Sequence, residues 1–121
     1  MTVSAPRRVL VVDDHRGMRD TLASLLRAHG FDVSLASSGA EALATCAREP
    51  AYEAVLVDAY MPGIGGLAVA HYLHEHHPGT RVVLCTAADE RETRHALESG
   101  HVSSAVQKPF TEAQLLRALT P

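Results

Sequence analysis

The sequence predicts an α/β fold, a doubly wound parallel sheet with helices on both faces. Two observations lead there. Short apolar runs alternate five times with helix-like stretches, the pattern of strands buried on both sides by crossover helices. Polar residues also stand directly after four of the runs: Asp13 and Asp14 after Val9-Leu10-Val11-Val12, Asp58 after Ala54-Val55-Leu56-Val57, Thr86 after Val82-Val83-Leu84-Cys85, and Lys108-Pro109 after Ala105-Val106-Gln107. Ligands of such sheets bind beyond the carboxyl ends of the strands, so these residues should meet at one edge.

The first strand is placed at 8–13 and the first helix at 15–29, where Met18, Leu22, Leu25, Leu26 and His29 recur at helical spacing and Gly30 stands as the terminating glycine. Asp32-Val33-Ser34-Leu35-Ala36 alternates, which suits an edge or half-exposed strand at 32–36. Ser38 with Glu41 has capping-box spacing and opens a helix at 39–48; Thr111 with Gln114 does the same for the last helix at 111–119. Strands at 53–58, 81–86 and 102–107 and helices at 66–77 and 90–99 complete the alternation, with Pro78-Gly79 and Gly100 as stop signals. Right-handed crossovers then distribute the helices over both faces.

Composition bounds the function. A length of 121 residues allows one domain, expected to span 1–121 with its core at about 8–119 and no second domain in this chain. A net charge of −3 leaves no electrostatic footprint for nucleic acid. No apolar run approaches the roughly 20 residues of a membrane span, and the first seven residues lack a signal peptide's apolar stretch. A cytoplasmic location is expected. Cys46 and Cys85 sit inside apolar segments and read as core residues rather than redox or metal groups. The chain has ten Arg but one Lys, at position 108; a compact charge on a flexible stem is not interchangeable with a planar fork.

Asp13, Asp14 and Asp58 at one edge pose an electrostatic problem, because carboxylates this close cannot all stay ionised uncompensated. A hard divalent cation resolves it, and Mg²⁺ leaves coordination positions for a phosphoryl oxygen. Lys108 would neutralise further charge, Thr86 could donate a hydrogen bond, and one carboxylate would remain as a nucleophile able to form an acyl phosphate. Each residue alone has a plainer reading: Asp14 as a helix cap, Thr86 as a good strand residue, Lys108 as a solvated charge. The weight lies in all of them ending corresponding strands.

Val-Val-Asp13-Asp14, Asp58-Ala-Tyr-Met61-Pro62-Gly-Ile-Gly-Gly66, Thr86-Ala87 and Lys108-Pro109-Phe110, in that order and spacing, resemble the response-regulator receiver domain, the phosphoacceptor module of bacterial two-component signalling. The resemblance runs from about Arg8 to Leu119. It implies a flavodoxin-like sheet of order 2-1-3-4-5. It also implies Asp58 as phosphoacceptor, with Mg²⁺ (or Mn²⁺ in its place) held by Asp13, Asp14, Asp58 and the Tyr60 carbonyl. Lys108, Thr86 and Ala87 would stand around the phosphoryl group, and the Lys108–Pro109 bond would be cis. Tyr60 and Ala88 fall where the family tunes phosphoryl lifetime. A bulky Tyr60 and an apolar Ala88 suggest a long one.

Two departures bear on switching. Ala105 replaces the aromatic residue that usually precedes the lysine by three positions, and the stretch from Gly100 to Lys108 is one residue longer than usual. With no aromatic between Gly100 and Pro109, a standard aromatic toggle is not expected. The expected partners are a sensor histidine kinase or phosphotransfer protein and an output domain or downstream protein, the latter through the face of helix four, strand five and helix five. A homodimer on activation is possible; direct contact with nucleic acid or membrane is not expected. The chain would not be a turnover enzyme on an external substrate. A Mg²⁺ phosphohydrolase would want an acid–base Asp at position 60, and a flavodoxin-type cofactor binder a phosphate loop after the first strand. The remaining alternative is a pseudo-receiver, an interaction module that takes no phosphate. The histidines of the third helix, His71, His74, His76 and His77, read as a solvated face despite a metal-compatible spacing. His15 follows the acid pair and could approach the metal, but reads better as an exposed residue of the first helical turn.

Overall fold

A computed structural model describes residues 7–49, 52–87 and 90–120. Five parallel strands, β1 (Arg8–Val12), β2 (Asp32–Ala36), β3 (Ala54–Asp58), β4 (Arg81–Thr86) and β5 (Ser104–Gln107), form one sheet in the order β2-β1-β3-β4-β5. Between and after them run α1 (Arg16–Ala28), α2 (Gly39–Arg48), α3 (Gly66–His76), α4 (Glu90–Glu98) and α5 (Glu112–Leu119). Both the expected architecture and the expected order are present. The edge reading of the second strand holds, since β2 pairs only with β1 and is half-buried.

Side chains of a strand alternate between faces, so one apolar run feeds two cores. Val9 and Val11 join Leu22 and Leu26 of α1, Leu56 and Val83 of the central strands, and Leu115 and Leu119 of α5. Leu10 and Val12 join Ala42 of α2, Val69 and Leu73 of α3, Val57, Leu84 and Ala96 of α4. Cys46 belongs to the second core and Cys85 to the first, both buried and unpaired. The sheet therefore lies between α1 and α5 on one side and α2, α3 and α4 on the other. Among the described residues no helix is long and apolar enough to cross a membrane.

Helix ends follow local chemistry. Gly30 (φ +87°) closes α1, with its amide on the Arg27 carbonyl and the Phe31 amide on the Leu26 carbonyl. Thr111 and Gln114 form the full reciprocal box. Ser38 makes only half of one: its Oγ accepts from the Glu41 amide, but the Glu41 carboxylate takes the amide and hydroxyl of Ser37 instead. Regular pairing of β5 begins at Ser104 rather than 102, because the Val82 amide donates to Ser103 Oγ in place of a backbone carbonyl.

Two glycines bring the loop after β3 against its neighbours. A Cβ at Gly66 would stand 2.3 Å from the Asp58 carbonyl oxygen, and one at Gly39 would stand 2.2 Å from that of Ile64. The first turns of α3 and α2 thus pack on the backbone of this loop, closer than any side chain permits. Gly66→Ala should lower unfolding free energy by about 1–3 kcal/mol, the usual range for forced overpacking. Gly79→Ala, where nothing lies within 4 Å of the added carbon, should change it by less than about 0.5 kcal/mol. Urea denaturation of both variants checks this; equal effects would contradict the packing argument.

Candidate functional site

Strand register builds the site. Val12 pairs with Val57, Asp58 with Cys85 and Thr86 with Gln107. Asp13, Asp58, Thr86 and Lys108 are thereby carried to one carboxyl edge. The ladder extends past the regular strands: the Asp13 amide donates to the Ala36 carbonyl, the Ala59 amide to Cys85 and the Lys108 amide to Thr86. Backbone pairing, rather than side-chain attraction, delivers the carboxylates to each other.

Asp13 is 2% exposed, Asp58 7% and Thr86 1%. Lys108 reaches across β4 to place Nζ 3.4 Å from Asp13 Oδ2 and 3.6 Å from Asp58 Oδ2. Burial opposes charge on that ammonium, but Asp13 and Asp58 outweigh it and hold its pKa above the ordinary lysine value. Asp58 is shifted upward. Burial is the main cause, and Asp13 and Asp14 add to it, against the opposing pull of the Tyr60 amide and Lys108. Burial also pushes the neighbouring Cys85 thiol up to about 12, so it stays a neutral core group. The Tyr60 amide donates to Asp58 Oδ1 at 3.2 Å, while the Tyr60 side chain is 60% exposed. Ala87 is exposed beside Thr86; Ala88 lies outside the described residues. The Lys108–Pro109 peptide is cis.

Carboxylate oxygens of Asp13, Asp14 and Asp58 and a nitrogen of His15 lie within 4.8 Å of one another. Asp14 Oδ1 is buried and accepts no hydrogen bond, with His15 Nδ1 3.1 Å away, the kind of acceptor that a cation or bound water satisfies. Three acidic side chains with such an oxygen fit a hard, oxygen-seeking ion such as Mg²⁺.

Two further residues reach the acid cluster, His15, which the sequence already placed beside it, and Arg19, which it did not. His15 is exposed, as expected, yet it stands at the N-cap position just before α1 rather than in its first turn, and its side chain makes no capping bond there. Its amide and Nδ1 contact Asp13 Oδ1 at 2.9 and 3.2 Å, and Nδ1 is 3.1 Å from Asp14. Arg19 Nη1 donates to the Asp13 carbonyl at 2.8 Å, tying α1 to the acidic turn. An arginine one turn into a helix carries no sequence mark of that role.

A family model for the response regulator receiver domain matches residues 9–120. The probable transcriptional regulatory protein TcrX of Mycobacterium tuberculosis is 36% identical over 117 residues, covering 94% of this chain and 50% of its own length. The DNA-binding response regulator MtrA of Mycolicibacterium smegmatis is 36% identical over 111 residues, covering 91% of this chain and 47% of its own. The chain spans about half the length of the curated relatives it matches. Among solved structures, the response regulator TrrA of Thermotoga maritima, in complex with Mg²⁺ and BeF, superposes with a TM-score of 0.83 at 32% identity. That match covers 94% of this chain and 99% of the other. The expectation of no nucleic-acid contact finds no support here, since one relative is named as DNA-binding.

Because the folded state raises the proton affinity of Asp58, stability falls as pH rises from the ordinary carboxylate range through the pKa of Asp58. At neutral pH the ionised carboxylate opposes folding. Asp58→Asn should therefore raise the metal-free melting temperature by a few degrees, the scale of a change of about 1 kcal/mol. Mg²⁺ should raise that of the parent and do so far less in Asp14→Asn. Thermal melts with and without Mg²⁺ check both signs.

Proposed function

The chain belongs to the response regulator receiver domain family of two-component signalling, and on that premise we propose that it is a phosphorylatable switch whose acceptor is Asp58. The observation that carries the reading is the meeting of Lys108 Nζ with Asp13 and Asp58, beside Asp14, at the ends of neighbouring strands. An Asp58 oxygen attacks the phosphorus of a phosphohistidine on a partner kinase or phosphotransfer protein. The O–P bond forms as the P–N bond breaks, and the imidazole leaves with the electron pair. Lys108 takes a phosphoryl oxygen, and the Thr86 hydroxyl donates to another. Ala87 leaves space beside the group. Asp13, Asp14, Asp58 and the Tyr60 carbonyl would hold Mg²⁺, or Mn²⁺, which when bound offsets the charge of the phosphoryl oxygens. In-line positioning and charge stabilisation suffice for this transfer, so no acid–base residue is required.

Ala105 is part-buried against the core on the α2, α3 and α4 side and brings no ring to the switch. Thr86 borders a small cavity of about 50 Å³ with Tyr60, Leu67, Leu84, Thr93 and Ala96. A hydroxyl drawn toward the phosphoryl group vacates space there, which repacking of these neighbours can transmit to α4. Output then passes through the α4–β5–α5 face to a further domain, a downstream protein or a second copy. Residues 8–119 act as one receiver unit in this reading.

Intact-mass measurement after incubation with a small phosphodonor tests it. One phosphoryl adduct is expected with Mg²⁺, none without it, and none in Asp58→Ala. A folded protein that takes no phosphate would instead be a pseudo-receiver, and an adduct surviving in Asp58→Ala would displace the acceptor. Tyr60→Asn should shorten the adduct's half-life, followed by the same mass readout; a longer half-life would remove Tyr60 as a shield.

A further inference from the structure

Five of the eight histidines lie on or next to α3: His71, His74 and His76 on the helix, His77 at its end, and His101 arriving from the loop between α4 and β5. From the sequence the helical ones read as a solvated face, with Glu75 among them, although the His71–His74 spacing is compatible with metal binding. The fold supplies a third imidazole. The His101 ring stands 4.8 Å from that of His71 and 4.7 Å from that of His74, centroid to centroid, at interplanar angles of 63° and 42°.

We propose that His71, His74 and His101 form a binding site for one borderline divalent cation of the Zn²⁺ class. Imidazoles on a tetrahedral ion at about 2.0–2.1 Å from each nitrogen set their ring centroids about 5 Å apart. The observed separations from His101 already match that span. His71 and His74 are exposed and His101 is part-exposed, so the rings can rotate about χ2 to aim one nitrogen each at a common point. Among the described residues it is the acid cluster whose ligand atoms already lie within 4.8 Å of one another; the histidine rings require this turn. Neutral imidazole selects Zn²⁺, Ni²⁺, Co²⁺ or Cu²⁺ over Mg²⁺, which takes oxygen ligands. The site is therefore chemically separate from the carboxylate cluster. A bound ion would pin the loop that leads into β5, and through it Lys108, to the surface of α3. Water would complete a tetrahedral set.

Calorimetric titration of the untagged protein with Zn²⁺, with Co²⁺ as the spectroscopic probe, tests the assignment. One equivalent should bind, with the visible bands of tetrahedral Co²⁺ and perturbed His71, His74 and His101 imidazole resonances. His101→Ala should raise the Kd at least about tenfold, as disturbance of metal ligation typically does, whereas Asp14→Asn should leave it unchanged. His71→Gln, on an exposed helix surface, carries the same test if His101→Ala fails to fold. No binding, binding that survives in His101→Ala or His71→Gln, or binding lost in Asp14→Asn alone would overturn the proposal. The last result would place the ion in the acid cluster.

Discussion

Everything at the functional edge depends on one ammonium held between two buried carboxylates. Lys108 lies 3.4 Å from Asp13 and 3.6 Å from Asp58, with Asp14 alongside in a group less than 5 Å across. One positive charge stands against three negative ones at that range; burial above all, with Asp13 and Asp14 adding to it, raises the proton affinity of Asp58. The imbalance is the useful property. In the proposed function, a site left short of positive charge would draw a hard cation, and the pair of cations would then prepare the edge for a dianionic phosphoryl group.

The scaffold tolerates this because the forces that assemble the edge are of another kind. Parallel pairing from β2 to β5 and two apolar cores fix where each strand ends, and no carboxylate has to attract another. Gly66 and Gly39 then press the loop after β3 onto the starts of α3 and α2. The Asp58 backbone is thus clamped while its side chain stays electrostatically strained. Rigid backbone with an unfavourable charge arrangement is what preorganisation would require of the proposed phosphoryl acceptor site.

The sequence made the central features legible because they rest on local rules. Continuous apolar runs mark fully buried strands, and the polar residue that ends each run marks the sheet edge. Thr111 with Gln114 closed its box since both partners are free to turn toward each other. Glu41 was diverted because Ser37, the residue before the cap, offers it an amide and a hydroxyl together. Other features depend on contacts between distant segments. Arg19 reaches the Asp13 carbonyl only when α1 has docked, and His101 meets His71 and His74 only after β5 has been added to the sheet. Neither follows from periodicity or spacing.

The central claim is that Asp58 sits in an undercompensated cluster in which Lys108 supplies the opposing charge. Carboxyl-carbon NMR titration of Asp58 in the metal-free protein tests this most directly, read beside Lys108→Met. The account predicts that Asp58 titrates above the ordinary aspartate value of about 3.9, and higher again once the ammonium is removed. Titration at or below that value in the parent, or a midpoint unmoved in Lys108→Met, would contradict it.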